Sequence, residues 1–164
     1  MPSKGSTGQP CCPKFDPGPW DEKEVAWTDK LFIQDSVPQF LHMPLPGTYH
    51  KAVARMWGKI EKAGAAPDKA DFLILAYDPS PWKSELYINA TREVPDAVNV
   101  RLSGTYLTRV FDGPYQDVPK WIREMSRFVT EKGKAVKKYY LYFTTCPKCA
   151  KLYGHNYAVV FAQV

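Results

Sequence analysis

Two stretches of the chain carry apolar side chains at the spacing that is typical of an amphipathic helix. The first stretch contains Val53, Met56, Trp57 and Ile60. The second stretch contains Val118, Trp121, Ile122, Met125, Phe128 and Val129. Because intervals of three and four residues place side chains on one face of a helix, both stretches predict helices. Gly64 and Gly133 follow them, at positions where glycine commonly ends a helix.

Strands are predicted where short apolar or alternating runs are bounded by turn residues. The predicted strands cover residues 30–33, 39–45, 72–77, 85–90, 100–111, 139–144 and 157–163. A further short helix is predicted over residues 20–27, with the sequence WDEKEVAW. An elaborated connection is expected between the last two strands.

The order of these elements repeats along the chain, which indicates an internal duplication. Gly64 corresponds to Gly133, Pro79 to Pro147, and the strand ELYINA to YAVVFA. The prediction is an α+β fold in which a duplicated strand–helix–strand–strand unit builds one curved antiparallel sheet. Two long helices cover one face, and a central pseudo-two-fold cleft is the expected ligand site. The predicted divisions are a flexible tail (1–19), a single domain (20–164), and repeats at about 30–95 and 98–164.

Composition narrows the class of protein. The 164 residues, 45% hydrophobic and 24% charged, suit an ordinary globular domain. A net charge of +5 is too mild for a nucleic-acid-binding signature, and no apolar run approaches the roughly 20 residues of a membrane span. The N-terminus lacks the apolar region of a secretory signal, so a cytoplasmic monomer is expected. Aromatic residues are 14% of the chain, which favours an aromatic core, a site for a flat ligand, or both.

The predicted strand 85–90 offers the first candidate chemistry. Its alternation separates an apolar set (Leu86, Ile88, Ala90) from a set with a carboxylate and a phenol (Glu85, Tyr87, Asn89). On the matching strands, Tyr157 shares a face with Phe161, and Tyr140 shares one with Tyr142. These residues form either an aromatic groove around one carboxylate, suited to proton transfer, or an ordinary half-exposed sheet face with a solvated Glu85.

Two further motifs leave alternatives open. Gly113-Pro114 makes a tight turn that places Tyr115 at the entrance of the second helix, either as a hydrophobic staple or as part of a ligand wall. Cys146 and Cys149 have a zinc-knuckle spacing, and the other candidate ligands are Cys11, Cys12 and His155. Reduced thiols that cap a hairpin, a zinc site and a redox pair are the three interpretations, and the first requires no metal. The chain has no Gly-rich phosphate loop, and no cofactor is expected.

These residues together resemble the gyrase-inhibitor-like (GyrI-like) small-molecule-binding family. The resemblance runs from about Phe32 to the C-terminus, and Gly113-Pro114-Tyr115 before the helix is its most specific element. The segments CCPKFDPGPWDEKEVAW and CPKCAKLYGHNYAVVFAQV are similar to a cysteine-bearing subgroup that is often labelled hydrolase.

The resemblance implies a groove that binds flat aromatic xenobiotics, with an acid at its floor. It implies a catalytic role for Glu85, with a cage hydroxyl such as that of Tyr157 as the alternative proton donor. The implied ligand-binding residues are Tyr77, Trp82, Tyr87, Tyr115, Tyr142 and Phe161. The expected function is hydrolysis of a reactive electrophile, such as a cyclopropanoid DNA alkylator, as detoxification. The alternatives are a non-catalytic binding or sensor module and a zinc-stabilised interaction protein. The expected partner is a small planar aromatic ligand, with no nucleic acid or membrane.

Overall fold

The computed structural model describes Cys12, residues 14–145 and residues 147–164, and over these residues the chain forms strands and helices in a mixed order. The strands are β1 (Lys23–Phe40), β2 (Met43–Pro44), β3 (Ile74–Ser80), β4 (Lys83–Asn89), β5 (Val98–Asp112), β6 (Lys138–Phe143) and β7 (Tyr157–Gln163). The helices are α1 (Thr48–Lys62), α2 (Val118–Glu131), α3 (Pro147–Tyr153) and a 3-10 turn at Tyr115–Asp117. The fold is therefore α+β.

The chain divides into two compact units. The middle unit contains Ala26–Gly104. The outer unit contains Thr105–Val164 together with the described residues up to Val25. Both boundaries fall inside long strands, β1 and β5.

In the middle unit, four antiparallel strands follow the order β2–β1–β4–β3. Arg55 of α1 forms an ion pair with Asp35 of β1 at 2.7 Å, which identifies the sheet face that meets the helix. Leu86 lies opposite Asp35 in the register and is fully buried. Because side chains alternate along a strand, Leu86 and Ile88 face α1, as the sequence predicts.

In the outer unit, three antiparallel strands follow the order β6–β7–β5. One sheet face packs against α2 through a buried apolar cluster that includes Leu107, Met125 and Val160. At the edge of this cluster, the rings of Phe111 and Trp121 stack with centroids 5.7 Å apart and planes 18° apart. Burial of this apolar stripe is the main force that holds α2 on the sheet.

The two helices predicted from periodicity are confirmed as α1 and α2. Gly64 and Gly133 follow them with φ of 62° and 72°, a left-handed conformation in which glycine carries no steric penalty. Asp117 occupies the N-cap position of α2 but makes no capping hydrogen bond with its side chain. The last strand, Tyr157–Gln163, has the predicted bounds.

The predicted helix over residues 20–27 is wrong, and so are two separate strands over 30–33 and 39–45. Residues 18–22 form turns, and one continuous strand, β1, begins at Lys23 and ends at Phe40. The hydroxyl of Thr108 donates to the Trp20 carbonyl at 2.6 Å, and the Asp21 carboxylate accepts from the Val110 backbone N–H at 3.1 Å. The first of these long-range hydrogen bonds engages a backbone carbonyl that a local helix would have used, and the second ties the Asp21 side chain to β5.

The connection predicted over 146–156 contains α3. No helix within the described residues is long and apolar enough to cross a membrane. The internal duplication, the shared sheet and the central cleft stay predictions.

Candidate functional site

Glu85 is a largely buried carboxylate on β4 of the middle unit. The side chain is 17% exposed, and its Oε2 atom accepts a hydrogen bond of 2.6 Å from the phenol of Tyr87. The Lys83 ammonium lies 3.7 Å from Oε1. Glu85 and Tyr87 occupy the sheet face opposite α1, because they alternate with Leu86. A short hydrogen bond of this kind holds the carboxylate in one orientation.

Tyr77 lies on β3, and Trp82 lies in the β3–β4 turn. Tyr77 pairs directly with Glu85 in the antiparallel register, so both residues occupy the same sheet face. Trp82 lies in the turn itself and is 58% exposed, with its ring 5.6 Å from that of Phe40. The structure therefore brings Tyr77, Glu85 and Tyr87 together, while Trp82 packs at the hairpin tip.

In the outer unit, three of the predicted aromatic residues occupy the sheet face that points away from α2. They are Tyr142, Tyr157 and Phe161. The N-terminal segment covers this face: the Phe15 ring lies 6.3 Å from that of Tyr142 and 5.8 Å from that of Tyr157. Trp20 makes an edge contact with Phe161 at 5.5 Å, and Phe161 is fully buried. The sequence pattern places the aromatic residues on one face but does not indicate that Phe15 and Trp20 pack on them.

The Tyr142 phenol is the buried titratable group on this sheet face. Burial, with a smaller electrostatic contribution from Cys12, raises the pKa of the Tyr142 phenol to about 12. The phenol therefore stays protonated at neutral pH and can donate a hydrogen bond, but it does not act as a phenolate.

Tyr115 lies apart from these aromatic residues. Its ring contacts Phe143 at 5.4 Å, and Phe143 packs against the α2 side of the sheet. Since Tyr142 and Phe143 are neighbours on β6, they point to opposite faces. The structure does not bring Tyr115 together with Tyr142 and Tyr157.

Asp112 and His155 form a hydrogen-bonded pair that the sequence analysis did not assemble. Nδ1 of His155 lies 2.7 Å from Oδ2 of Asp112, and Oδ1 of Asp112 accepts from the Asn156 backbone N–H at 2.7 Å. Burial raises the pKa of Asp112, but the two hydrogen bonds and the His155 charge offset this, so the pKa lies below its ordinary value. Asp112 pairs with Tyr157 in the β5–β7 ladder. A prediction of this strand register from the sequence would have placed His155, two residues before Tyr157, close to Asp112.

A groove of about 580 Å³ opens beside this pair. Its walls are the segment 14–17 together with Thr145, Tyr153, His155 and Tyr157. The imidazole of His155 stacks on the Tyr157 ring with centroids 4.9 Å apart and planes 12° apart. The volume is in the range that accommodates a small organic ligand.

The described residues do not assemble a zinc site, which was one of three interpretations of Cys146 and Cys149. No group of three or more His, Cys, Asp or Glu side chains in the described ranges could hold a metal ion. Cys149 is buried and Cys12 is half-buried. Cys11 and Cys146, on which the zinc and redox interpretations also depend, lie outside the described residues.

Solved structures with a similar fold share little sequence with this chain. The C-terminal domain of EcmrR is 11% identical, with a TM-score of 0.66 over 88% of this chain and 96% of that one. A hydrolase from Listeria innocua is 13% identical, with a TM-score of 0.60 over 88% and 92%. A further hydrolase from the same organism is 14% identical, with a TM-score of 0.57 over 87% and 92%.

At these identities the likeness concerns the fold alone, and it fits the GyrI-like fold that the sequence resembles. No curated protein matches the chain. A family model described as "Bacterial hydrolase" matches residues 3–164. Because this match spans nearly the whole sequence, including both units, the chain belongs to the bacterial hydrolase family.

Proposed function

We propose that the protein binds a small planar aromatic molecule and hydrolyses an electrophilic centre on it. The observation that carries the proposal is the hydrogen bond between Tyr87 and the largely buried carboxylate of Glu85. A carboxylate held at a fixed position beside a phenol is suited to orient a water molecule or to exchange a proton with a bound ligand. Membership of the hydrolase family supports the same reaction class.

The proposed substrate class is a flat electrophile such as a spirocyclopropyl dienone, the reactive group of cyclopropanoid DNA alkylators. Water attacks the less hindered cyclopropane carbon, and one ring C–C bond breaks. The electron pair of that bond enters the dienone, which becomes an aromatic phenol after its oxygen takes a proton. The product carries a new hydroxyl and no longer alkylates, so the reaction is a detoxification.

Glu85 is the proposed proton-transfer group. As a carboxylate, it accepts the proton of the attacking water, and its hydrogen bond from Tyr87 fixes the accepting oxygen. The carboxylic acid that results returns this proton to the phenolate oxygen of the product, so Glu85 ends the reaction as a carboxylate. Flat rings in the chain, such as the exposed Trp82, provide stacking area for the ligand at low entropic cost.

The test is the variant Glu85→Gln, with Glu61→Gln as a matched control on the exposed surface of α1. Product formation from a cyclopropanoid substrate is measured by mass spectrometry, and binding by tryptophan fluorescence. We expect Glu85→Gln to lower turnover by about 100-fold or more, the usual range for loss of a general base, and to leave affinity within about threefold. Wild-type turnover in Glu85→Gln would show that Glu85 is not the catalytic group. Binding without any product in the wild-type protein would instead favour the non-catalytic binding module.

A further inference from the structure

We propose that the groove beside Asp112 and His155 is a second reactive site, in which His155 acts as a general base for the hydrolysis of small neutral aryl esters. The inference goes beyond the proposed function and does not use Glu85. All of the residues that support it belong to the outer unit.

The tautomer of His155 follows from its partner. The pKa of Asp112 is below its ordinary value, so the carboxylate is ionised at neutral pH and has no proton to donate. The 2.7 Å hydrogen bond is therefore donated by His155 Nδ1. In the neutral imidazole, Nε2 then carries a lone pair, which is the state that a general base requires.

The imidazole of His155 is held by two contacts, the hydrogen bond to Asp112 and the stack on Tyr157. The Asp112 carboxylate is itself anchored by the Asn156 backbone N–H, and the Asn156 side chain donates to the Gly113 carbonyl at 2.7 Å. Stacking on Tyr157 defines the plane of the imidazole ring. The His155 side chain is nevertheless 52% exposed and lines the groove, so Nε2 is accessible to water and to a ligand.

A buried hydroxyl on a residue of the same groove favours a ligand that carries a polarised oxygen. Thr145 Oγ1 is shielded from solvent and has no hydrogen-bond partner among the described residues. A buried donor without a partner is costly, and a ligand oxygen would satisfy it. Thr145 lines the groove together with His155, and rotation about its Cα–Cβ bond would turn the shielded hydroxyl toward a molecule bound beside His155.

The walls of the groove indicate which substrate class fits. Phe15 and Tyr157 provide aromatic surface, while Lys14 and Asp16 contribute opposite charges that favour no net charge on the ligand. A small neutral aryl ester combines a flat ring with a polar carbonyl oxygen. The groove volume of about 580 Å³ accommodates a molecule of this size.

Water transfers a proton to His155 Nε2 as its oxygen bonds to the ester carbonyl carbon, and the Thr145 hydroxyl donates to the resulting oxyanion. The tetrahedral intermediate collapses, the bond between the carbonyl carbon and the aryl oxygen breaks, and the aryloxide leaves. The imidazolium returns its proton to the aryloxide, so the ester and water give a carboxylic acid and a phenol.

The chain contains a matched control for this proposal. His42 of the middle unit also pairs with a carboxylate, with Nδ1 2.6 Å from Asp78 Oδ2, and it is 55% exposed. It does not line the groove. An exposed histidine paired with a carboxylate can catalyse background hydrolysis without a binding site. His42→Gln and His155→Gln should therefore lower such background hydrolysis equally.

The experiment measures hydrolysis of p-nitrophenyl acetate by the full chain near neutral pH. We expect saturation kinetics, a loss of about 100-fold or more in kcat/KM for His155→Gln, and less than a twofold change for His42→Gln. Phe15→Ala should raise KM with little change in kcat. Asp112→Asn should lower kcat with little change in KM, because Asp112 positions the base without touching the ester. Circular dichroism verifies that each variant is folded.

Three outcomes would overturn the proposal. The first is equal loss of activity in the two histidine variants, and the second is a rate that rises linearly with ester concentration without saturation. The third is a burst of p-nitrophenol with acetylated protein detected by mass spectrometry. That burst would identify a covalent nucleophile in place of a water molecule activated by His155.

Discussion

The hydrogen bond between Tyr87 and Glu85 should contribute measurably to the stability of the protein. A double-mutant cycle tests this with Tyr87→Phe, Glu85→Leu and the combined variant. Each single substitution removes the hydrogen bond and retains most of the side-chain volume. The Lys83–Glu85 contact is lost in both Glu85 variants, so its contribution cancels in the coupling energy.

The expected coupling follows from the geometry. The O···O distance of 2.6 Å lies in the range of hydrogen bonds to an ionised carboxylate, which contribute about 1.5–3 kcal/mol. Tyr87 is 5% exposed and the Glu85 side chain 17%, so water replaces the lost partner poorly. We expect a coupling energy of about 2 kcal/mol. The exposed Lys83 would contribute at most about 1 kcal/mol to Glu85→Leu alone.

The assay is urea unfolding at neutral pH, followed by tryptophan fluorescence and by far-UV circular dichroism. With a urea slope of about 2 kcal/mol per molar, Tyr87→Phe should lower the midpoint by about 1 M. Coincident transitions for the two probes justify a two-state treatment of a chain that contains two compact units.

A coupling energy below about 0.5 kcal/mol would refute this reasoning. It would mean that solvent satisfies the carboxylate as well as Tyr87 does, and that Glu85 is not held in one orientation. Glu85 would then lack the fixed orientation that a positioned proton acceptor requires.

Two other titratable groups have predictable pH effects. The pKa of Asp112 is lowered in the folded protein, so the carboxylate stabilises the fold above the ordinary aspartate pKa of about 4, and this contribution is lost as the pH falls through the folded-state pKa. Asp112→Asn should lower the free energy of unfolding by about 1 kcal/mol at pH 7, a small loss because both partners are partly exposed. Thermal melts should show that the difference in stability from wild type shrinks toward pH 3. A difference that stays constant with pH would contradict this prediction. The pKa of Tyr142 is raised from 10.0 to about 12, so the wild-type protein should lose stability as the pH rises above about 10. Denaturant unfolding at pH 8 and pH 11 should show that Tyr142→Phe loses less stability between these pH values than wild type does. An equal loss in both proteins would contradict the raised pKa of a buried Tyr142 phenol.

Part of the candidate site follows from local pattern. The alternation along β4 correctly places Glu85 and Tyr87 on the face opposite the helix, because a strand has a strict two-residue period. The same rule places Tyr157 and Phe161 on one face of β7. Pattern alone does not indicate that Phe15 covers Tyr157, because the two residues are far apart in sequence and Phe15 lies in a segment without periodicity.

The pairing of Asp112 with His155 is a second contact that the sequence pattern does not predict. The residues are 43 positions apart, and they meet because the β5–β7 register places Asp112 opposite Tyr157. Composition and spacing suggest His155 as a spare metal ligand. The hydrogen bond that makes it a candidate base depends on strand pairing, which is a long-range interaction.

By itself, the sequence determined the helices α1 and α2, the strand β7, and the separation of apolar and polar faces on β4, because helix and strand periods are encoded in neighbouring residues. Tertiary structure alone decided the conformation of residues 20–27, where hydrogen bonds from Thr108 and Val110 replace the predicted helix. It also decided which side chains line the groove beside His155. These features depend on contacts between distant segments, whose free energy outweighs the weak local preference for a helix.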